Sequence, residues 1–243
     1  HAGGEDLIFP HHENEIAQSE AANGKTFARY WMHNGFLNID NKKMSKSLGN
    51  FFTVREVAEK YDLQVLRFFM LSAHYRSPLN FSADLMAAAK NGLDRILTAA
   101  ERLHDLADAA EGSMTDAEKE NFAASKEYVE KFEAAMEDDA NTADAVSAVF
   151  ELVKFINVNS SEQNSKEYLQ ALYQRLETLC DVLGIIIEKK EEILDSDIEA
   201  LIAERQAARK EKNFARADEI RDTLLEQGII LEDTREGVKW KRA

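Results

Sequence analysis

The stretch Lys43-Met44-Ser45-Lys46-Ser47 decides the fold that we expect for the first part of this 243-residue chain. Its two lysines lie three residues apart in a small, polar segment that ends at Gly49, and such a segment suits the binding of a polyphosphate. A lysine ammonium is a compact charge on a long stem, so it can follow negative charge that moves during a reaction. Together with the strand and helix patterns of the residues before it, the loop predicts the end of a nucleotide-binding α/β domain.

A second informative run, Phe9-Pro10-His11-His12-Glu13-Asn14-Glu15, lies upstream of the lysine loop. Because proline suits a first helical turn, we predict a helix over residues 10–23. On that helix His11 and Glu15 share one face, with Cβ atoms about 5–6 Å apart, a workable spacing for two ligands of one zinc ion. Such a pair alone is more often a solvated helix surface. His12 and Glu13 point to other faces, which favours structural or supporting roles for them.

The remaining sequence predicts a mostly α protein, because prolines occur only at positions 10 and 78, glycine is scarce, and segments rich in Ala, Leu and Glu are periodic. Thr53/Glu56, Thr115/Glu118 and Ser196/Glu199 have the spacing of capping boxes. We predict a short strand, or the exit from one, over residues 7–9, a strand over residues 35–39 and a hairpin over residues 229–241. The further predicted helices cover residues 53–60, 62–73, 82–109, 115–138, 142–157, 166–183, 196 onward and 214–228.

Composition limits the class of protein. The net charge is −15, but residues 111–200 hold 22 acidic against 8 basic side chains, whereas residues 205–243 hold 10 basic against 8 acidic ones. Because screening confines electrostatic steering to about 8 Å, an acidic helical region does not exclude RNA binding elsewhere. No apolar run approaches the roughly 20 residues of a membrane span. The single cysteine, Cys180, excludes an internal disulfide and is predicted to be a buried apolar residue in a reducing, cytoplasmic setting.

Together these segments resemble the cysteinyl-tRNA synthetases, a family of class I aminoacyl-tRNA synthetases. The lysine loop alone is typical of class I in general, and the His-His-Glu-Asn-Glu run at this distance from it points to the cysteine enzymes. The resemblance extends through the whole chain. The stretches that carry it are His1-Ala2-Gly3-Gly4-Glu5-Asp6-Leu7, residues 9–15, residues 43–54, Leu66-Arg67-Phe68-Phe69-Met70-Leu71-Ser72, His74-Tyr75-Arg76-Ser77-Pro78-Leu79 and residues 198–240.

The resemblance implies four modules in a monomer. Residues 1–50 would be the C-terminal tail of a Rossmann-like α/β catalytic domain, residues 51–110 a stem-contact fold, residues 111–194 a helical bundle that reaches the anticodon stem, and residues 195–243 a small α+β anticodon-recognition module. Members of the family are longer at the N-terminal side, where their His-x-Gly-His motif and two zinc-binding cysteines lie. We therefore expect a C-terminal part of such an enzyme, able to bind tRNA but inactive by itself.

The resemblance also implies roles for individual residues. Lys46, and secondarily Lys43, would neutralise the pyrophosphate that leaves Mg-ATP during adenylate formation. Zinc would bind His11 and Glu15 together with the two absent cysteines, and the substrate cysteine would bind to that zinc. The other implied contacts are Gly3, Gly4 and Asp6 with adenosine, His1 with the substrate pocket, and Arg209, Asp218 and Asp233 with the anticodon of the cysteine tRNA.

Two other interpretations stay open. The chain could be a non-catalytic tRNA-binding module in which the loop lysines only contact phosphates. It could also belong to a related ligase that joins cysteine to an amino sugar, although such an enzyme would not need residues 196–243.

Overall fold

A computed structural model describes residues 1–44, 49–188, 195–210, 213–226, 228–234 and 237–242. The chain divides into two compact units, His1–Glu188 and Lys189–Ala243. Most described residues are helical, and the sheets are small, as the sequence predicted. Each unit is described by itself below. The finer division of the first unit into three modules stays a prediction.

The first unit opens with two short sheets. Strand β1 (Ala2–Gly4) pairs in parallel with β2 (Met32–Asn34). The second sheet has the order β4-β3-β5, with β3 at Leu37–Ile39, β4 at Lys42–Lys43 and β5 at Leu79–Phe81. Strand β3 is antiparallel to β4 and parallel to β5. The strand predicted over residues 35–39 is therefore confirmed as β3, whereas β2 was not predicted.

Two local features shape these sheets. Residues 7–9 are not a strand but follow the exit from one, because β1 ends at Gly4, Glu5–Leu7 forms a 3₁₀ turn and Ile8–His12 forms a wide helical turn in which Phe9 is extended. Helix α1 (Glu13–Asn23) follows that turn directly, so the predicted helix over residues 10–23 is confirmed. Strands β3 and β4 are joined by a two-residue turn, Asp40-Asn41, with φ angles of 48° and 61°. Such left-handed pairs are typical of tight hairpins, and Asp and Asn tolerate them well.

The bulk of the first unit is a helical assembly whose boundaries follow local capping signals. The side chains of Thr53, Asp62, Ser82 and Thr115 each accept a hydrogen bond from a backbone N–H in the first turn of the following helix. The helices are α2 (Val54–Ala58), α3 (Leu63–Leu71), α4 (Ala83–Ala109), α5 (Asp116–Ala124), α6 (Lys126–Glu137), α7 (Thr142–Asn159) and α8 (Lys166–Leu183).

One predicted helix, over residues 115–138, is divided in two at Ser125. The Phe122 carbonyl accepts hydrogen bonds from the Ser125 hydroxyl at 2.8 Å and from the Arg175 guanidinium at 2.6 Å. The guanidinium carbon of Arg175 also lies 3.7 Å from the centre of the Phe122 ring. Side-chain bonds to a carbonyl compete with the helical ladder, so α5 ends here and α6 begins at Lys126.

The core of the first unit lies where α4, α7 and α8 meet α3. Its fully buried side chains include Ile96, Leu103, Leu152, Leu172 and Leu176. Burial of one such side chain stabilises the fold by about 1.5–3 kcal/mol. Cys180 is also fully buried here, as the sequence predicted, and burial raises the pKa of its thiol to about 12.

The second unit consists of two helices and a hairpin. These are α9 (Asp195–Lys210), α10 (Phe214–Glu226), β6 (Ile229–Thr234) and β7 (Gly237–Arg242), with the two strands antiparallel. Helix α10 and the hairpin confirm their predictions. Helix α9 begins one residue before the predicted cap at Ser196. The small core of the second unit is formed by Ile198, Ile202, Ile220, Leu224 and Ile229.

Candidate functional site

The parallel pairing of β1 with β2 builds one candidate site at the start of the chain. It sets Gly3 opposite His33 and leaves His1 and Trp31 next to the paired residues. The turn that leads into α1 then returns the chain over this pair. A Cβ atom on Gly3 would lie 3.0 Å from the imidazole of His12, so this glycine lets the ring approach the strand closely.

Four polar side chains meet there. The Nε2 atom of His1 lies 2.6 Å from Oε2 of Glu15, and Nδ1 of His12 lies 2.8 Å from Nε2 of His33. His12 is only 5% exposed. The Trp31 ring stacks on His33 with 5.9 Å between centroids and contacts the rings of His1 and His12. An aromatic wall of this kind keeps water from one side of the imidazoles and fixes their orientation.

The donor atoms of this cluster suit a transition metal. His1, His12 and Glu15 each offer one ligand atom, and these atoms lie within 4.8 Å of one another. Two nitrogens and one carboxylate oxygen form a set that zinc accepts when a fourth ligand is added. Ligands at about 2.1 Å from a tetrahedral ion lie roughly 3.4 Å apart, so His1 and Glu15 would exchange their 2.6 Å hydrogen bond for bonds to the metal.

The structure and the sequence expectation differ on one point, namely the identity of the histidine that lies near Glu15. His11 is exposed, and among the described residues it is His12 that completes the group of three. The reason is the wide turn over Ile8–His12, where the N–H of Glu13 bonds to the carbonyl of Ile8 five residues earlier. This turn and the Gly3 contact bring His12 inward. His12 is therefore a further candidate ligand. The supporting role expected for His12 and the assignment of zinc to His11 both stay predictions.

The residues predicted to contact adenosine lie beside this cluster. Gly3 and Gly4 form β1, and Asp6 lies in the 3₁₀ turn that follows. A Cβ atom on Gly4 would lie 2.5 Å from the Asp6 carboxylate, so the Asp6 side chain folds back on strand β1. The atoms that approach both glycines are the ends of side chains, which a small shift could move away. Contact of these residues with ATP stays a prediction.

The lysine loop leaves the second sheet at β4. Lys43 is exposed, and its Nζ atom lies 4.8 Å from the centre of the Phe36 ring. Its carbonyl accepts a hydrogen bond of 3.2 Å from the Asn50 side chain. That bond joins Lys43 and Asn50, the residues that flank positions 44–49. Lys46 lies outside the described residues.

The predicted anticodon-reading residues all lie in the second unit. Arg209 is in the last turn of α9, and Asp218 is in α10, where one carboxylate oxygen lies 3.5 Å from the guanidinium of Arg221. Asp233 lies in β6 opposite Val238, and its side chain is outside the described part. Arg216 joins the two helices by ion pairs with Glu204 at 2.9 Å and Glu219 at 2.8 Å. Basic and acidic side chains therefore alternate on this unit.

Sequence reasoning missed His33 and Trp31 as neighbours of this cluster and gave His12 only a structural or supporting role. A usable signal was present in Trp31-Met32-His33, because alternate residues of a strand lie on one face and place an indole and an imidazole together. What the sequence did not reveal was that this strand pairs with Ala2–Gly4.

Comparison with known proteins gives three family matches along the chain. Residues 1–91 match the tRNA synthetases class I (C) catalytic domain, residues 131–188 the DALR domain, and residues 192–240 the cysteinyl-tRNA ligase anticodon binding domain. The whole chain is 69% identical to a cysteine–tRNA ligase of Lachnospira eligens and 61% identical to one of Lachnoclostridium phytofermentans, covering 52% and 53% of their lengths. The chain thus spans about half the length of the curated relatives it matches.

Solved structures agree on the fold. A LeuRS–tRNA–LeuAMS complex of Agrobacterium radiobacter matches with a TM-score of 0.59 at 17% identity, over 75% of this chain and 27% of that chain. A methionyl-tRNA synthetase of Mycobacterium tuberculosis in complex with methionyl-adenylate matches with a TM-score of 0.51 at 20% identity, over 76% and 40%.

Proposed function

Because the chain belongs to the cysteinyl-tRNA ligase family, we propose that its residues serve the ATP-dependent ligation of cysteine to its tRNA. The observation that carries the proposal is the group of His1, His12 and Glu15 in the same unit as the lysine loop, within the stretch that matches a class I catalytic domain. An imidazole and carboxylate site for a thiol-binding metal, in the same unit as a loop for phosphates, suits activation of cysteine. The anticodon-binding match to residues 192–240 favours tRNA over an amino sugar as the acceptor.

The proposed reaction has two steps. In the first, a carboxylate oxygen of cysteine attacks the α-phosphorus of ATP, a new P–O bond forms, and pyrophosphate leaves with the electron pair of the broken bond. Lys43 and Lys46 would neutralise the charge that builds up on pyrophosphate, and such electrostatic stabilisation dominates this kind of chemistry. In the second step a hydroxyl of the terminal ribose of tRNA attacks the activated carbonyl and forms an ester bond, the bond from that carbonyl to the phosphate oxygen breaks, and AMP leaves with its electron pair while the hydroxyl proton is released.

Zinc would bind to Glu15 together with His11, as the resemblance implies, or together with His12 and His1, whose ring nitrogens lie near that carboxylate. When bound, it would supply a site for the substrate thiolate that serine, which has a hydroxyl instead, fills poorly. This chain's own contribution is to hold the ligands: β1 and α1 carry them, Gly3 gives His12 its room, and Trp31 shields the rings. The family's two zinc cysteines have no counterpart in this sequence, whose one cysteine is buried in the helical core.

The second unit would bind the anticodon of the cysteine tRNA. Carboxylates and guanidinium groups can hydrogen-bond to the edges of extruded bases, which is the role proposed for Arg209, Asp218 and Asp233. In the described part of the chain no helix is both long and apolar enough to cross a membrane. We propose a monomer that acts in the cytoplasm, and we propose that this chain alone binds tRNA without forming the adenylate.

The catalytic part is tested in a chimera that joins the segment of the Lachnospira eligens ligase not matched by this chain to residues 1–243. We expect cysteine-dependent ATP–pyrophosphate exchange from the chimera and none from the 243-residue chain. In the chimera, K46A should lower exchange about 100-fold and leave the zinc content unchanged. Loss of zinc in K46A, or exchange by the chain alone, would contradict the proposal.

The metal and RNA assignments are tested separately. The zinc content of chimeras carrying H11A, H12A or E15Q identifies the histidine that binds the metal, and unchanged zinc in all three would exclude this cluster.

For RNA, R209A and D218A in the 243-residue chain should weaken binding to the cysteine tRNA, with K210A as the neighbouring control. Equal affinity for tRNAs with unrelated anticodons would refute base reading by these residues.

A further inference from the structure

Lys43 does not extend freely into solvent, because its ammonium lies over an aromatic ring. The distance from its Nζ atom to the centre of the Phe36 ring is 4.8 Å, within the range of a cation–π interaction. The register of the sheet explains the contact. Lys43 lies opposite Asn38 in the antiparallel pair, and Phe36, two residues before Asn38, is its diagonal neighbour on the same face.

The backbone around Phe36 is fixed on both sides. Its carbonyl accepts a hydrogen bond of 2.9 Å from the N–H of Leu79, and the N–H of the preceding Gly35 donates one of 2.8 Å to the carbonyl of Tyr75. A Cβ atom on Gly35 would lie 2.6–2.8 Å from backbone atoms of Arg76 and Ser77. Because only glycine allows this approach, the loop over residues 74–77 holds the Phe36 backbone in one place.

That loop is itself anchored to the helical assembly. The Tyr75 hydroxyl donates a hydrogen bond of 2.8 Å to Asp139, and the Arg76 guanidinium lies 2.8 Å from the other oxygen of the same carboxylate. Asp139 and Ala140 have φ angles of 56° and 53°, a conformation that residues with side chains rarely adopt. The connection between α6 and α7 thus takes an unfavourable form in which one carboxylate meets two side chains of the loop.

We propose that Phe36 is a positioning residue that holds the ammonium of Lys43 ready for the phosphates of ATP. The inference rests on the proposed function, in which Lys43 binds the leaving pyrophosphate. The ring occupies one side of the ammonium, and the exposed side keeps its N–H groups for phosphate oxygens. A long lysine side chain loses much conformational freedom when it binds, and a ring that already restricts it lowers that loss. Phe36 therefore acts on ATP binding only through Lys43.

The test measures ATP–pyrophosphate exchange in the chimera for F36L, F36Y, K43M and the double variant F36L/K43M. We expect F36L to raise KM for ATP about two- to fivefold, the range of an exposed cation–π pair, with KM for cysteine unchanged. F36Y keeps a ring of similar strength and should restore the wild-type value. If Phe36 acts through Lys43, F36L/K43M is no worse than K43M alone.

The outcomes separate the inference from the function beneath it. If K43M impairs exchange but F36L leaves KM for ATP unchanged or lowers it, the positioning role of Phe36 is overturned and the role of Lys43 stands. Additive effects in the double variant would also overturn it, because a merely structural defect adds to the loss of the lysine. If K43M has no effect, the positioning role of Phe36 and the phosphate-binding role of Lys43 are both overturned. Thermal denaturation of each variant checks that the fold is intact.

Discussion

Replacing Glu118 by glutamine should remove a large part of the acid sensitivity of the first unit. This carboxylate is 6% exposed and joins the start of α5 to the start of α8. It accepts hydrogen bonds from the N–H and hydroxyl of Thr115, at 2.8 and 3.0 Å, and from the N–H and hydroxyl of Ser165, at 2.8 and 2.9 Å. The Asn164 amide adds a fifth at 3.1 Å.

The magnitude follows from the pKa. Burial alone would raise the pKa of Glu118, but the hydrogen bonds from Thr115, Ser165 and Asn164 outweigh burial and lower it from 4.5 to about 2. At 1.36 kcal/mol for each pH unit, this difference corresponds to about 3 kcal/mol of stability. Because the pKa is lower in the folded state, the contribution is complete above about pH 4.5 and is lost as the pH falls toward 2. E118Q, which cannot ionise, should lack this dependence.

The assay is urea unfolding of the 243-residue chain, followed by circular dichroism at several pH values between 2 and 7. At pH 7 we expect the free energy of unfolding of E118Q to be about 3 kcal/mol lower than that of the wild type. The reason is that the glutamine amide turns an N–H group toward donors that the carboxylate satisfied. The matched control is E120Q, an exposed acid on the same helix, which should change little. If E118Q keeps the wild-type slope between pH 4.5 and 2, the assignment of acid sensitivity to this carboxylate is refuted.

Three further predictions concern packing, reactivity and capping. In thermal denaturation, G35A should lower the free energy of unfolding by about 3 kcal/mol, because the new methyl group would meet backbone atoms. The control G112A, in open space at a φ of 89°, should lower it by about 1 kcal/mol. Equal losses in the two variants would exclude the close approach at Gly35. Cys180 is fully buried and its pKa is raised, so it should resist a thiol-specific disulfide reagent at pH 8 and react once urea unfolds the chain. Rapid labelling of the folded chain would contradict this burial. S82A should cost about 1 kcal/mol in urea unfolding because it removes the cap of α4, whereas S147A, inside α7, should be nearly neutral.

Local signals were enough to predict most of the helices. Thr53, Ser82 and Thr115 cap their helices by bonds within three residues, so their spacing in the sequence carries the information. The division at Ser125 could not be predicted in this way, because it depends on Arg175, 50 residues away. Long-range contacts decide where such a helix breaks.

The candidate site was predictable in its chemistry but not in its geometry. The motif around Glu15 indicated an imidazole and carboxylate pair, and the structure places the imidazoles of His1 and His12 near that carboxylate. Which histidine faces Glu15 depends on the wide turn over Ile8–His12 and on the room that Gly3 leaves, and neither is visible in the spacing of residues. The pairing of β1 with β2, which adds His33, joins segments about 30 residues apart.

The two-residue turn at Asp40-Asn41 sets how well this region should tolerate changes in chain length. If one residue were inserted and the turn kept its two-residue form, the strand would slip by one position and Lys42 would replace Lys43 opposite Asn38. A cation would then still lie beside Phe36. Deletion of one turn residue would instead bring Met44 to that position, and the charge would be lost. Natural or engineered insertions should therefore be far less damaging here than deletions, because the sequence doubles the lysine at this point.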